Sequence, residues 1–214
     1  MHKKNKVEYE NGFAKIYDKG VIEVNGKKIT AKSILIATGS EPSKLDNINI
    51  DEKEIVSSTG ALEFDKVPKK LAVIGGGYIG LELGSVWKRL GAEVSVIEYT
   101  GSIVPTMDKD TADIFFKTLQ KQEIKFLFNT KVEKAKLKKN GVSLQCLDRN
   151  TNKNIYLDFD KVLLAVGRKP FTEGLGLPEV GVELNNNGTI KVDQDYKTSI
   201  DGIYAIGDVI DGPM

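Results

Sequence analysis

The apolar residues of this chain fall in short runs separated by polar, glycine-rich stretches, and the spacing within each run points to its element. Residues 7–16 alternate loosely about Asn11-Gly12. Val21-Ile22-Glu23-Val24 then meets Asn25-Gly26, a pair that favours a type I′ hairpin. A strand is predicted over 33–37, ending in Thr38-Gly39-Ser40. This meander has no partner within its own segment and reads as a piece of something larger. Residues 41–68 are polar and turn-rich, with one short helix expected near 58–62.

From residue 71 the pattern changes. Leu71-Ala72-Val73-Ile74 is unbroken apolar, as in a parallel strand covered on both faces. Residues 78–90 predict a helix with Ile79, Leu83, Val86 and Leu90 on one continuous face, and Gly91 stands where a glycine ends helices. A second strand is expected over 94–97, closed by Glu98. A second helix over 107–122 has Asp108 and Asp110 in its first turn and Ile114, Phe115 and Leu119 on its apolar side. A third strand follows at 125–128, then a hairpin about Asn140-Gly141 with residues 142–147 on its far arm. A loop at 150–154 leads to strands at 155–159 and 162–165, a hairpin-like stretch at 182–192, and a last strand in the run 203–208. Strands alternating with helices, with hairpins between, predict the α/β class: a parallel sheet plus a β-meander.

Composition excludes several classes. At 214 residues the chain holds one large domain or two small ones, and a formal net charge of +1 gives no electrostatic case for nucleic acid or an acidic membrane surface. No apolar run approaches the ~18 residues of a membrane span. The amino-terminal stretch is basic without an apolar core, so no targeting segment is expected in the chain. Cys146 is the only cysteine and His2 the only histidine. An intramolecular disulfide is therefore impossible, no metal site is expected, and Cys146 reads as a packing residue. The lysines between 131 and 139, interrupted by Glu133 and without interleaved aromatics, read as the guard of a solvated strand edge.

The chemistry concentrates at Gly75-Gly76-Gly77-Tyr78-Ile79-Gly80, a G-x-G-x-x-G bend between a predicted strand and a predicted helix. Gly75 permits the tight turn, Gly77 lets backbone approach a pyrophosphate, and Gly80 lets the helix lie close to the strand. The helix terminus offers N–H groups and partial positive charge to phosphates. Glu98 is placed to take the adenosine ribose hydroxyls. No arginine follows it in sequence, so a 2′-phosphate would meet a carboxylate and no cation, and NAD is expected rather than NADP. Two readings fit Glu82: a surface partner on its helix, or a group reaching a cofactor. Two also fit Tyr78: a packed ring, or a cover over a nicotinamide site. Three apolar strands end in Ala-x-Gly, at Gly39, Gly167 and Gly207. These glycines either merely end strands or bring bare backbone to a ligand.

Taken with Ile55-Val56-Ser57-Ser58-Thr59-Gly60-Ala61-Leu62, Ala165-Val166-Gly167-Arg168-Lys169-Pro170-Phe171 and Tyr204-Ala205-Ile206-Gly207-Asp208-Val209, the fingerprint helix resembles the flavin-dependent pyridine nucleotide-disulfide reductases, above all their dihydrolipoamide-oxidising branch. The likeness covers essentially the whole chain. It implies a Rossmann-like NAD-binding domain flanked by two incomplete pieces of an FAD-binding domain. The pieces are a partial meander at 1–45, the NAD domain at 46–170, and a return segment at 171–214. The resemblance places Gly75, Gly76, Gly77, Tyr78, Ile79, Gly80, Leu81 and Glu82 on NAD, with Glu98 on its ribose, Val132 beside the adenine and Gly167 near the nicotinamide half. It places Ala14, through its backbone, Thr38, Gly39, Ser40, Asp208 and Met214 on FAD, and pairs Glu82 with a lysine near the flavin.

In such enzymes dihydrolipoamide reduces a cysteine pair, electrons pass to FAD, and hydride passes to NAD. The redox cysteine pair and the catalytic histidine of that family are not among these 214 residues. The chain is therefore expected to be the central part of a longer enzyme, to hold no catalytic residue, and to be inactive alone. The resemblance further implies a homodimer within 2-oxo acid dehydrogenase complexes, in bacterial cytoplasm or the mitochondrial matrix. Other readings remain open: a glutathione, mercuric or ferredoxin-type reductase of the same fold, or a non-catalytic dinucleotide-binding module.

Overall fold

A computed structural model describes residues 3–212. His2 and Met214, the latter expected at the flavin, lie outside the described residues. After a 3-10 turn (Lys3–Asn5) come five strands: β1 (Ala14–Asp18), β2 (Val21–Val24), β3 (Lys27–Thr30), β4 (Ile34–Ile36) and β5 (Ser40–Pro42). Then follow β6 (Ile55–Val56), α1 (Ser58–Ala61), β7 (Lys70–Ile74), α2 (Tyr78–Arg89), β8 (Glu93–Ile97), α3 (Lys109–Lys121) and β9 (Lys125–Leu127). An antiparallel run β10 (Thr130–Lys138), β11 (Gly141–Asp148) and β12 (Lys153–Phe159) leads to β13 (Lys161–Leu164), and β14 (Arg168–Pro170), α4 (Leu177–Val180), β15 (Ile203–Ala205) and a 3-10 turn (Gly207–Val209) follow. Backbone contacts divide it into two compact units, one of residues 42–167 and one built from both ends, 1–41 and 168–214. The expected boundaries stood at 45/46 and 170/171.

The central unit is a three-layer α/β structure. Its parallel sheet has strand order β6-β13-β7-β8-β9. Alternation along each strand feeds two cores. Leu71, Val73, Val94, Val96 and Leu163 face the helix layer with Leu81, Trp87, Ala112 and Leu119. Ala72, Ile74, Ile97, Val162 and Leu164 face the three-stranded β10-β11-β12 sheet, where Val142, Leu144 and Cys146 lie. Both faces are covered, which is why these strands read as continuous apolar runs. Trp87 donates its indole N–H to the Ala61 carbonyl at 3.1 Å and packs on Phe64, tying α1 to α2.

Helix α2 differs in part from its expected face. Gly80, Leu81, Gly84 and Trp87 are its buried residues, while Val86 is 40% and Leu90 56% exposed. The seam against the sheet is lined by glycines: a Cβ at Gly84 would stand 3.4 Å from Val73 and 3.5 Å from Val94. Of the expected face, Leu83 does pack on this core and Ile79 is half-buried; a glycine seam carries no hydropathy signal, so Val86 and Leu90 were the members misplaced. Gly91, at φ +113°, ends the helix as expected. Its N–H reaches the Lys88 carbonyl and that of Ala92 reaches Trp87, both at 3.0 Å, in the six-residue closure typical of such ends. In α3, Asp108 is the N-cap, accepting from the Thr111 N–H, rather than a first-turn residue. Ile114 is 67% exposed, and Phe116, packed on Phe126 and Phe128, takes the inward place. The lysines of β10 lie on an edge strand, as the charge pattern suggested.

In the other unit β1-β2-β3 form an antiparallel meander, with Val24 opposite Lys27 and both turn residues, Asn25 and Gly26, at positive φ. The strand expected from residue 7 begins only at Ala14; Val7, Tyr9 and Phe13 are exposed. The meander pairs with itself, and β4 finds its parallel partner in β15, Ile34 opposite Ile203. Ile16, Ile34, Ile36, Leu177, Ile190, Ile203 and Val209 form its core. No helix among the described residues is long and apolar enough to cross a membrane.

Candidate functional site

Strand order in the parallel sheet reverses at β7. The chain leaves it through α2 to β8 and α3 to β9 on one side, then returns through the antiparallel layer to β13 on the other. The crevice at such a reversal, at the carboxyl ends of the strands, is where α/β sheets bind ligands. Gly75 ends β7 here and Ala165-Val166-Gly167 follow β13. The Ala165 N–H donates to the Ile74 carbonyl at 2.8 Å, and that of Gly75 donates to Ile97 at 2.9 Å. Gly75 has φ +106°, and a Cβ there would lie 2.3 Å from the Ala165 carbonyl oxygen. A Cβ at Gly80 would lie 2.5 Å from the Gly75 carbonyl oxygen. Both positions need glycine for packing alone.

Gly77 is different. It is the N-cap of α2, with φ −80° and ψ 179°, and a Cβ there would meet nothing within 4 Å. The first turn has no capping side chain and no acidic residue. The N–H groups that open a helix normally take such a partner, and here no side chain supplies one. That is a cradle for an anion.

Glu98 closes β8 and is only 9% exposed. One carboxylate oxygen accepts from the Gly76 N–H at 2.6 Å; the other accepts from the Thr100 N–H and hydroxyl, both at 2.7 Å. The acid is thus turned toward the glycine bend. Gly76 is also bound on its other side, its carbonyl accepting from Val104 at 2.9 Å. Val104 holds φ +37°, unfavourable for a β-branched residue, and Ile103 and Val104 are buried under the bend. The Tyr78 ring is 44% exposed, with its hydroxyl 2.6 Å from that of Thr106 in the same loop. Ile79 is half-buried, Leu81 has its side chain in the core, and Glu82 is exposed with no ion pair among the described residues. Val132 is buried in the core beneath β10, its carbonyl accepting from Asn47. Gly167, at φ +120°, accepts from the Ser43 N–H.

No arginine follows Glu98 in sequence, and the fold brings one to the next residue, Tyr99. Arg149, from the turn between β11 and β12, lies with its guanidinium 3.9 Å from the centre of the Tyr99 ring, and donates to the Tyr99 carbonyl at 2.9 Å. It is fifty residues from Tyr99 in sequence, so no local pattern announces it.

In the other unit, Gly39 and Gly207 follow the paired strands β4 and β15, both at positive φ and both open where a Cβ would stand. Ser40 donates to the Asp208 carboxylate at 2.7 Å, while Arg168 donates through Nε to the Ser40 hydroxyl at 2.6 Å and through Nη2 to its carbonyl at 2.5 Å. Thr38 donates to the Phe171 carbonyl at 2.7 Å, and Ala14 opens β1 with its side chain exposed. Thr38, Gly39, Ser40 and Asp208 are thus brought together, and Arg168 joins them, a residue quoted in the motif but not singled out from it. Among the described residues no cluster of His, Cys, Asp or Glu could hold a metal.

A family model described as pyridine nucleotide-disulphide oxidoreductase matches residues 1–214. Mitochondrial dihydrolipoyl dehydrogenase 1 of Arabidopsis thaliana is 47% identical over 219 residues, covering all of this chain and 43% of that protein. A leghemoglobin reductase of Glycine max is 46% identical, covering all of this chain and 42% of that one. A solved Cu(II) complex of the HOCl-induced flavoprotein disulfide reductase RclA from Escherichia coli superimposes with a TM-score of 0.89 at 28% identity, over 99% of this chain and 48% of that one. The chain spans less than half the length of these relatives. Since the family match runs unbroken through both compact units, the chain belongs to the pyridine nucleotide-disulphide oxidoreductase family.

Proposed function

We propose that the chain is the nucleotide-binding central part of a dihydrolipoyl dehydrogenase. The single observation that carries the reading is the open N-terminus of α2, where Gly77 leaves room and no side chain caps the helix. On this reading the N–H groups following Gly77 hold the diphosphate of NAD. Glu98 accepts from the adenosine ribose, Gly167 borders the nicotinamide half, and Val132 borders the adenine through its backbone. Thr38, Gly39, Ser40 and Asp208 fit the polar contacts of a flavin's ribityl and phosphate chain, with the Ala14 backbone beside them and Arg168 holding Ser40 in place.

The cofactors supply the redox chemistry, FAD carrying two electrons and NAD accepting hydride. The chain's own part is to bind and orient them. Its one cysteine is buried and cannot cycle between dithiol and disulfide, so these residues alone are expected to lack lipoamide turnover. The whole enzyme would work as a homodimer in 2-oxo acid dehydrogenase complexes, in the compartment its mitochondrial relatives are named for or in bacterial cytoplasm.

Calorimetric titration of the chain with NAD tests the reading. Binding that weakens in Glu98→Ala supports it; no heat with NAD or NADP, from a chain shown folded by circular dichroism, overturns it.

A further inference from the structure

The geometry points to Thr100 as an exchangeable donor at the ribose acid: its hydroxyl fills an acceptor site on Glu98 in the free protein and turns to the Ser102 carbonyl when a vicinal diol takes that site. This inference rests on the dinucleotide reading above. Three observations carry it. First, the acceptor sites can be counted. An ionised carboxylate has about four lone-pair sites, two on each oxygen. On one oxygen of Glu98 both are taken, by the Thr100 N–H and the Thr100 hydroxyl, each at 2.7 Å. On the other, the Gly76 N–H takes one at 2.6 Å. A single site is left open, whereas the diol of an adenosine ribose brings two hydroxyls.

Second, the Thr100 hydroxyl carries one proton and has two acceptors in reach, the Glu98 carboxylate at 2.7 Å and the Ser102 carbonyl at 3.0 Å. Charge and the shorter distance give the proton to the carboxylate while the site is empty. A turn about the Cβ–Oγ bond gives it to Ser102 and leaves the hydroxyl paired. Third, the other ways of making room are closed. The Glu98 backbone is pinned on both sides, its N–H donating to Leu127 at 2.8 Å and its carbonyl accepting from Thr130 at 2.9 Å. The Gly76 and Thr100 N–H groups belong to backbone that is also held, through bonds from Val104 to the Gly76 carbonyl and from Asn129 to that of Thr100. Of the three donors to Glu98, only the Thr100 hydroxyl can leave without moving the chain. A diol therefore exchanges one charge-assisted hydrogen bond of the protein for a neutral one, which weakens its binding. The same hydroxyl keeps the buried carboxylate satisfied while no nucleotide is present.

The test is titration calorimetry of the chain with NAD and with its analogue lacking the adenosine 2′-hydroxyl, for the wild type, Thr100→Val, Thr100→Ala and Thr100→Ser, with urea unfolding of each in the absence of nucleotide. Thr100 is exposed, so loss of its hydroxyl is expected to leave the fold intact. Thr100→Val and Thr100→Ala are expected to bind NAD about three- to tenfold more tightly than the wild type, since no bond has to be exchanged. They are expected to bind the 2′-deoxy analogue as the wild type does, its remaining hydroxyl using the site already open, and to unfold at a lower urea concentration. Thr100→Ser keeps the hydroxyl and is expected to match the wild type throughout. Unchanged or weaker NAD binding in both variants without the hydroxyl, or an equal gain for both nucleotides, overturns the exchange while leaving dinucleotide binding intact. Failure of the folded wild type to bind either nucleotide defeats both readings, so the two failures are distinguishable.

Discussion

The three fingerprint glycines are expected to fail for different reasons when a single methyl group is added. At Gly77 the backbone is extended and the space around a Cβ is open. Alanine there loses the modest preference of glycine over alanine at an N-cap, about 0.5–1 kcal/mol. It gains about 0.4–1 kcal/mol from the narrower unfolded ensemble. The two cancel, so stability is expected to stay within about 0.5 kcal/mol of the wild type.

At Gly80 the methyl would sit 2.5 Å from the Gly75 carbonyl oxygen and 3.0 Å from Val73. Backbone must shift, at a cost of about 1–3 kcal/mol, which for this chain length lowers Tm by roughly 2–12 °C. Gly75→Ala is expected to be at least as damaging, since its contact is with the Ala165 carbonyl and its φ is +106°. Nucleotide affinity should run in the other order. Gly77→Ala puts a methyl on the surface that the diphosphate approaches. Losing one charge-assisted N–H contact of about 1.5–3 kcal/mol weakens NAD by roughly ten- to 150-fold.

Thermal unfolding followed by circular dichroism, then calorimetry on the folded variants, separates the two effects. The reasoning is refuted if Gly77→Ala melts as low as Gly80→Ala, or if it melts normally and binds NAD as the wild type does.

Other consequences are open to simpler tests. Glu98→Gln presents an amide –NH2 to the N–H of Gly76 or of Thr100, leaving a buried donor unmatched at a cost of about 1–3 kcal/mol in urea unfolding; a change under 0.5 kcal/mol would contradict the bonding described. Burial works against ionisation of Asp51, but N–H donations from Lys53, Ile55 and Glu54 outweigh it and hold its carboxyl below the ordinary range. Its stabilising effect is therefore present above the unfolded value of about 3.9 and lost as pH falls through the folded one. The stability gap between wild type and Asp51→Ala should narrow in acid, and a gap independent of pH would show that the charge plays no part. Burial, with Glu133 adding to it, pushes the Cys146 thiol up to about 11. Thiol reagents at pH 8 are expected to label it only at the rate of unfolding, and the preference for the protonated thiol should cost stability as pH rises toward that value; rapid native labelling would count against a packing role.

What could be read from the sequence divides along a physical line. The bend after β7, the hairpin at Asn25-Gly26, the stop at Gly91 and the acid closing β8 were all legible, because each rests on a conformation or charge that only certain residues supply locally. The Ala-x-Gly endings were half legible. The glycines at the ends of β4 and β15 lie on paired parallel strands, a relation between distant segments that the repeat hinted at but could not specify. The face of α2 was misread in part, for a reason that belongs to the site itself. Hydrophobic periodicity weighs side chains, whereas this helix approaches the sheet through the absence of them at Gly80 and Gly84.

The same absence brings the helix terminus down onto the end of β7 and leaves Gly77 bare, so the feature that defeats a periodicity argument also builds the cradle. Arg149 escaped for the opposite reason. Its charge is plain in the sequence, but its neighbour is set by the register of the antiparallel layer, in which Asp148 pairs with both Thr130 and Lys153 and so delivers the following residue to the end of β8. A one-residue slip in that layer would carry the guanidinium to the other face. The contact of Arg149 with Tyr99 therefore depends on the pairing of strands outside the parallel sheet, and substitutions in the β10-β11-β12 layer that alter register are expected to break it without altering the fingerprint.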